Sequence, residues 1–292
     1  MLRLKLHHLA TIILLVSFLV SCTKKSEMPV WEISKPNHPK SYLVGTINVI
    51  KKEGNEKIVT PKISQLFDSS TTFITQIDII NSDFLMTKNQ IEIGMNKTIK
   101  DILSTEDFNI LTKLKNDWDK TNASSFGAPD SARIKLLFYL QDILYQNKGD
   151  NFYFEQYWMK QAMASKKNIT GLESYQKHYR DLSQVTLPEQ IEFMKTIKNL
   201  EEFKTNFNST IKDLYFEGEY EKIYSLHLDK FSYNKTNYGT LWVKKHRDWA
   251  TTIDSTLSNE KCFISMDIKH LFGKENFLEN LLSKGYNVEK IQ

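Results

Sequence analysis

The chain has 292 residues, with 39 basic and 35 acidic side chains and a formal charge of +4. Two of those cations, Arg3 and Lys5, lie in an N-terminal leader, and without them the formal charge is +2. So even a balance excludes a strong electrostatic footprint for nucleic acid, and two cysteines are too few for a disulfide framework or a paired-cysteine metal site.

The leader comes first. Arg3 and Lys5 precede an apolar run, Leu9 to Val20, that is too short to span a bilayer comfortably. It ends in Leu19-Val20-Ser21-Cys22, which resembles a bacterial lipobox. Residues 1–21 are therefore expected to be a lipoprotein signal peptide. Cys22 is the expected lipid-attachment residue, and residues 22–29 form a tether solvated by Lys24 and Lys25. The expected location is the bacterial cell envelope, membrane-anchored and facing the periplasm or the surface. Several buried acyl chains make such an anchor stable, at about 0.8 kcal/mol per buried CH₂. Cys262 is left alone on an apolar run and reads as a small core hydrophobe.

The mature chain of roughly 270 residues can bury one large core. Val30 to Ser34, Tyr42 to Ile47 and Phe73 to Ile79 are short β-branched or apolar runs bounded by turn residues, and they predict strands. Pro61 to Phe67 suits a connecting helix. In the middle, Ser104 caps a helix through Phe108, Leu111, Leu114 and Trp118, and Ala132 to Tyr145 continues the helical spacing. Thr186-Leu187-Pro188-Glu189 resembles a capping box. It opens one long helix through Ile191, Met194, Ile197, Leu200, Phe203, Phe207, Ile211 and Leu214, which Gly218 interrupts. Asn168 to Leu172, Lys261 to Met266 and Tyr286 to Ile291 are the later strands. The expected fold class is α/β, with a central mixed sheet built from both ends of the chain. A large helical insertion, about residues 88–257, forms a cap on a domain spanning residues 30–292, and Asn168 to Glu173 returns briefly to the sheet.

An ordered set of motifs runs along the chain: GTIN (Gly45 to Asn48), QID (Gln76 to Asp78), GLES (Gly171 to Ser174), HRDWA (His246 to Ala250) on a helix, DIKHLFG (Asp267 to Gly273) and a closing GYNVEKI (Gly285 to Ile291). In their order and spacing they resemble the TraB/GumN family, which includes Tiki-type proteases and is related to the erythromycin-esterase and ChaN-like group. The resemblance runs from about Val30 to the C-terminus and implies the same α/β architecture. It also implies a metal-dependent hydrolytic centre made from two strand-end histidines and a glutamate. There, neutral imidazoles hold a divalent cation and a carboxylate ligates it or acts as base toward bound water.

This chain departs from that pattern at three places. The first histidine position holds Asn48, a weak neutral ligand. The glutamate position holds Gln76, which has no ionisable carboxylate and is no general base. Asp267 stands where the family has glycine, while His270 and Arg247 keep family positions, and Glu155 stands where many members have aspartate. The resulting expectation is a lipid-anchored, non-catalytic descendant that binds a peptide, glycan or envelope partner. The alternative is a hydrolase or peptidase with a rewired site in which His270, Asp267 and Asp78 hold a divalent metal of the Mn or Co type. Arg247 and Asp78 are the candidate catalytic residues, with Arg247 holding an anionic group or tethering Glu155 or Asp78. His246 is expected to face solvent, His178 to sit in a surface cluster with Tyr179 and Arg180, and His38 to lie in a loop.

Overall fold

The computed structural model describes residues 27–292 except 48, 52–57, 79, 81–90, 122–126, 146–150, 198 and 238. Cys22, the leader, most of the tether and Asn48 lie outside the described residues. No helix among the described residues is long and apolar enough to cross a membrane.

The strand-like runs form one six-stranded mixed sheet. Its strands are β1 (Val30–Ser34), β2 (Ser41–Thr46), β4 (Thr72–Asp78), β6 (Asn168–Ser174), β7 (Cys262–Asp267) and β8 (Asn287–Lys290). They lie in the order β6-β4-β7-β2-β1-β8, so both ends of the chain build the sheet, as expected. β2, β7, β4 and β6 run parallel, and β1 is antiparallel to both β2 and β8. β7 is buried along its whole length, which is why it reads as a continuous apolar run rather than an alternating one. Ser41 Oγ accepts from the Cys262 amide at 2.9 Å and fixes the start of the β2–β7 register, in which Thr46 lies opposite Asp267.

Long crossover connections leave the parallel strands and bring helices onto the sheet. Helix α1 (Pro61–Asp68) begins with Thr60 accepting from the Ile63 amide, with proline in the first turn. Its Phe67 meets the Phe263 ring at 5.2 Å, and Trp158 meets Phe263 at 4.7 Å. These aromatics join one contiguous core with the sheet. Two three-residue strands, β3 (Val49–Lys51) and β5 (Asn151–Tyr153), pair separately as a small antiparallel ladder, which the sequence reading missed.

The helical middle follows the periodicity with one correction. Helices α2 (Ile99–Ile102), α3 (Thr105–Thr121), α4 (Leu136–Tyr145), α5 (Phe154–Ala164) and α6 (Tyr175–Leu182) precede the Thr186 capping box. The expected single long helix is two, α7 (Leu187–Thr196) and α8 (Leu200–Glu217). Asn199 breaks it by capping α8, accepting from the Glu202 amide at 3.1 Å. Ile197 and Leu200 are both buried across the break, so the apolar spacing hid it. Gly218 ends α8 at φ 78°, a left-handed cap suited to glycine. Helices α9 (Tyr220–Lys230) and α10 (Ser232–Thr236) follow. A π-helical turn, Gly239–Lys244, then leads into α11 (Lys245–Asn259). Beyond β7, a 3₁₀ turn (Ile268–His270) and α12 (Phe277–Ser283) complete the fold.

Candidate functional site

Parallel strands leave a crevice beyond their carboxyl ends, and ligands tend to bind there. A cavity of about 290 Å³ occupies that place. Gln76 and Ile77 reach it from β4, Glu173 from the end of β6, and Lys269 and His270 from the turn after β7. Helices α4 to α6 and α9 to α11 supply its other walls. The wide turn at Gly239–Lys244 projects Leu241 and Trp242 inward, and α11 adds Lys245 and Trp249. π-Turns of this kind recur at functional sites because they re-aim side chains that a regular helix would place elsewhere.

His270 stands between two indoles, with the Trp242 ring at 4.9 Å and the Trp249 ring at 5.0 Å. Behind it lies His246, whose Nε2 is 3.0 Å from His270 Nδ1. His246 Nδ1 in turn lies 3.0 Å from the Glu275 carbonyl oxygen. A carbonyl only accepts, so His246 Nδ1 carries a proton and donates it. Burial lowers the His246 pKa to about 4, so the ring is neutral near pH 7 and its Nε2 is an acceptor. His270 Nδ1–H must then be the donor. Burial, and next the neighbouring Lys269 and His246, push the His270 pKa well below the ordinary value, so its Nε2 bears a lone pair. No described residue hydrogen-bonds to that nitrogen.

The carboxylates of the site are held differently from one another. Glu173 Oε1 accepts from Lys245 Nζ at 2.9 Å and from His178 Nδ1 at 2.9 Å. Lys177 lies 3.5 Å from its other oxygen. Burial alone would raise the Glu173 pKa, but His178 and Lys245 outweigh it and hold the group down at about 2. Asp267 is clamped by Lys269, whose Nζ lies 2.6 Å from Oδ2 and whose amide donates to Oδ1 at 3.1 Å. The Gln76 side-chain oxygen accepts from the Asp267 amide at 3.2 Å. Glu155, in the first turn of α5, accepts through Oε1 from the Thr75 hydroxyl and from the Gln76 amide. Burial raises its pKa, and those two hydrogen bonds oppose the rise.

The structure thus brings together Gln76, Glu155, Asp267 and His270 from the residues singled out in the sequence. Asp78 stands apart, at the end of β4, where Oδ1 accepts from the Ile80 amide at 3.1 Å. Arg247 points outward and pairs with Glu275 at 3.2 Å, both side chains being more than half exposed. Its ion partner is neither Glu155 nor Asp78. Two expectations are corrected. His246 does not face solvent: it is fully buried, because it heads the α11 stripe His246, Trp249, Ala250, Ile253 and Leu257. His178 is not part of a surface cluster but lines the cavity against Glu173 and Lys245. Sequence reasoning also passed over Lys245, Glu173, Trp242 and His227. The stripe spacing of α11 is the signal that would have found His246 and Trp249.

A divalent cation would need several free donors here. His270 offers one neutral imidazole, but Gln76 Oε1 is spent on an amide and Asp267 on a lysine. Among the described residues no three His, Cys, Asp or Glu side chains come together as a ligand set. These residues do not fit a divalent metal of the Mn or Co type as they stand.

A model of the TraB/PrgY/gumN family matches residues 29–290, nearly all of the chain, which therefore belongs to that family. No curated protein and no solved structure matches it.

Proposed function

We propose that this member of the TraB/PrgY/gumN family is a lipid-anchored envelope protein. In this reading the strand-end cavity binds a peptide, glycan or envelope-protein partner without hydrolysing it. The carrying observation is the lock formed by Gln76, Asp267 and Lys269. A hydrolytic base must accept a proton near neutral pH, and an amide cannot. The one carboxylate added beside it, Asp267, already has its counter-ion at 2.6 Å. The cavity keeps what binding requires: aromatic walls, a neutral imidazole and a carboxylate at the ends of parallel strands. The anchor rests on Ser21-Cys22 and on a first strand that begins only eight positions later, at Val30. Labelling with a fatty-acid analogue, lost in Cys22→Ser, tests that half of the proposal.

The cleft is tested by incubating the full chain with fluorescent peptides and oligosaccharides, with and without Mn²⁺ or Co²⁺. Saturable binding that Trp242→Ala abolishes, without cleavage, is the expected result. Metal-stimulated cleavage abolished by His270→Ala would overturn the reading. One observation favours the hydrolase alternative, namely the lone pair on His270 Nε2. That alternative requires Asp267 to release Lys269 and Asp78 to release the Ile80 amide. Calorimetric cobalt binding that strengthens in Lys269→Met is its signature.

A further inference from the structure

We infer that His246 is a positioning residue that presents His270 to the cavity as a hydrogen-bond acceptor, and that the group received there is a ligand ammonium. The inference rests on the cavity being a binding site and specifies what it binds.

The hydrogen-bond chain has a fixed direction. It starts at a backbone carbonyl, which cannot donate, and so each ring along it must donate through Nδ1. The last atom of the chain, His270 Nε2, is an acceptor with no donor among the described residues. An acceptor imidazole selects a donor ligand.

Charge sharpens the choice. Of the cations at the cavity, Lys245 is held by Glu173 and Lys269 by Asp267. Glu155 differs. Its Oε1 is satisfied by a hydroxyl and an amide, and no described cation forms an ion pair with it. Lys269, paired with Asp267, acts on it only through space, so the half-buried carboxylate is costly to keep charged, and a ligand cation relieves that cost. Trp242 adds an aromatic wall to the cavity, and the Trp249 ring already holds a cation, Lys245 Nζ at 5.6 Å from its centroid. An acceptor nitrogen, a carboxylate with no directly bonded cation among the described residues and aromatic walls on one small cavity suit a primary ammonium, such as a lysine side chain or a free amino group on a peptide or amino sugar. Buried His227 lines the same cavity, and burial lowers its pKa too, so it adds no competing charge near neutral pH.

The experiment uses the full chain with Nα-acetyl-lysine amide as probe, and Nα-acetyl-norleucine amide and methyl phosphate as controls. The lysine probe is expected to bind at least about tenfold more tightly than either control, the value of one charge-assisted hydrogen bond. Glu155→Gln removes that preference. Two-bond ¹H–¹⁵N correlation spectra are expected to show His270 protonated at Nδ1. His246→Phe should lose that signature and weaken the lysine probe about tenfold. His246→Gln should restore both, since its amide can donate to the Glu275 carbonyl and accept from His270. Equal binding of norleucine, preferential binding of methyl phosphate, or a wild-type His270 protonated at Nε2 overturns the inference. Peptides that lack an amine yet bind in the cavity would overturn it alone and leave the binding reading standing. If no peptide, glycan or lysine probe binds, both fall.

Discussion

Replacing Lys245 with Met should unfold this protein more readily than any surface substitution. The Lys245 and Glu173 side chains are 5% and 0% exposed, so neither charge has water to fall back on. Removing one partner of a buried pair costs about 3–5 kcal/mol because the other charge is left stranded. A second route gives a similar figure. Glu173 falls from its ordinary 4.5 to about 2 in the folded protein, which corresponds to about 3 kcal/mol of stability. The lower end of the range is expected, since His178 remains at 2.9 Å and Lys177 at 3.5 Å. The sign follows from the depressed carboxyl. Its contribution is fully present above about pH 4.5 and is lost as pH falls through 2. Urea unfolding near neutral pH measures the loss directly. The double variant Lys245→Met with Glu173→Gln should regain about 2 kcal/mol relative to Lys245→Met, because no bare charge is then buried. A loss below about 1 kcal/mol in Lys245→Met, or a double variant worse than the single, would refute the assignment of this pair as a mutually dependent buried unit.

Much of this arrangement was legible in the sequence because it rests on short-range pattern. Most of the six sheet strands are β-branched or apolar runs with turn residues at their ends, and periodicity finds such runs. The Thr186 capping box and the Gly218 stop carry local chemistry that reads directly. Other features depend on partners remote in the chain. The Lys245–Glu173 bond joins residues 72 apart, and neither has a local signature. β3 and β5 are three residues each, too short for a period to show. Asn199 was hidden because a side-chain cap can break a helix without breaking its apolar stripe. Arg247 and His246 were assigned opposite fates from their true ones. Adjacent helix positions point about 100° apart, and the family motif drew attention to the arginine rather than to the stripe.

The remaining perturbations probe the site and its frame. His246 titrates at about 4 rather than the ordinary 6.5, so its stabilising contribution is complete above about pH 6.5 and is lost as pH falls through 4. The unfolding free energy from urea titrations should therefore drop between pH 7 and pH 4, by up to about 3 kcal/mol from this residue, and His246→Phe should flatten that part of the profile. A pH-independent midpoint would contradict the burial assigned to the ring. Arg247→Ala should change stability by less than about 0.5 kcal/mol and leave cavity binding unchanged, because its partner Glu275 is equally exposed. A large loss of binding would mean that the arginine reaches the cavity. Gly45→Ala tests why the first strand-end motif keeps its glycine although Asn48 follows it. A methyl at Gly45 would overlap Ile268 Cδ1 and crowd Pro29 and Trp31 at 3.1 Å. The surrounding frame cannot yield easily, since the Gly45 carbonyl accepts from the buried Tyr215 hydroxyl at 2.7 Å and its amide donates to Pro29 at 2.9 Å. Overpacking of this kind costs about 1–3 kcal/mol. Ile268 opens the turn that carries Lys269 and His270, so the strain should reach the cavity as well as the core. Gly45→Ala should thus lower the urea midpoint and weaken binding together, and Gly45→Ala with Ile268→Val should recover part of both. If stability falls while binding holds, the glycine serves the core alone and does not set the position of His270.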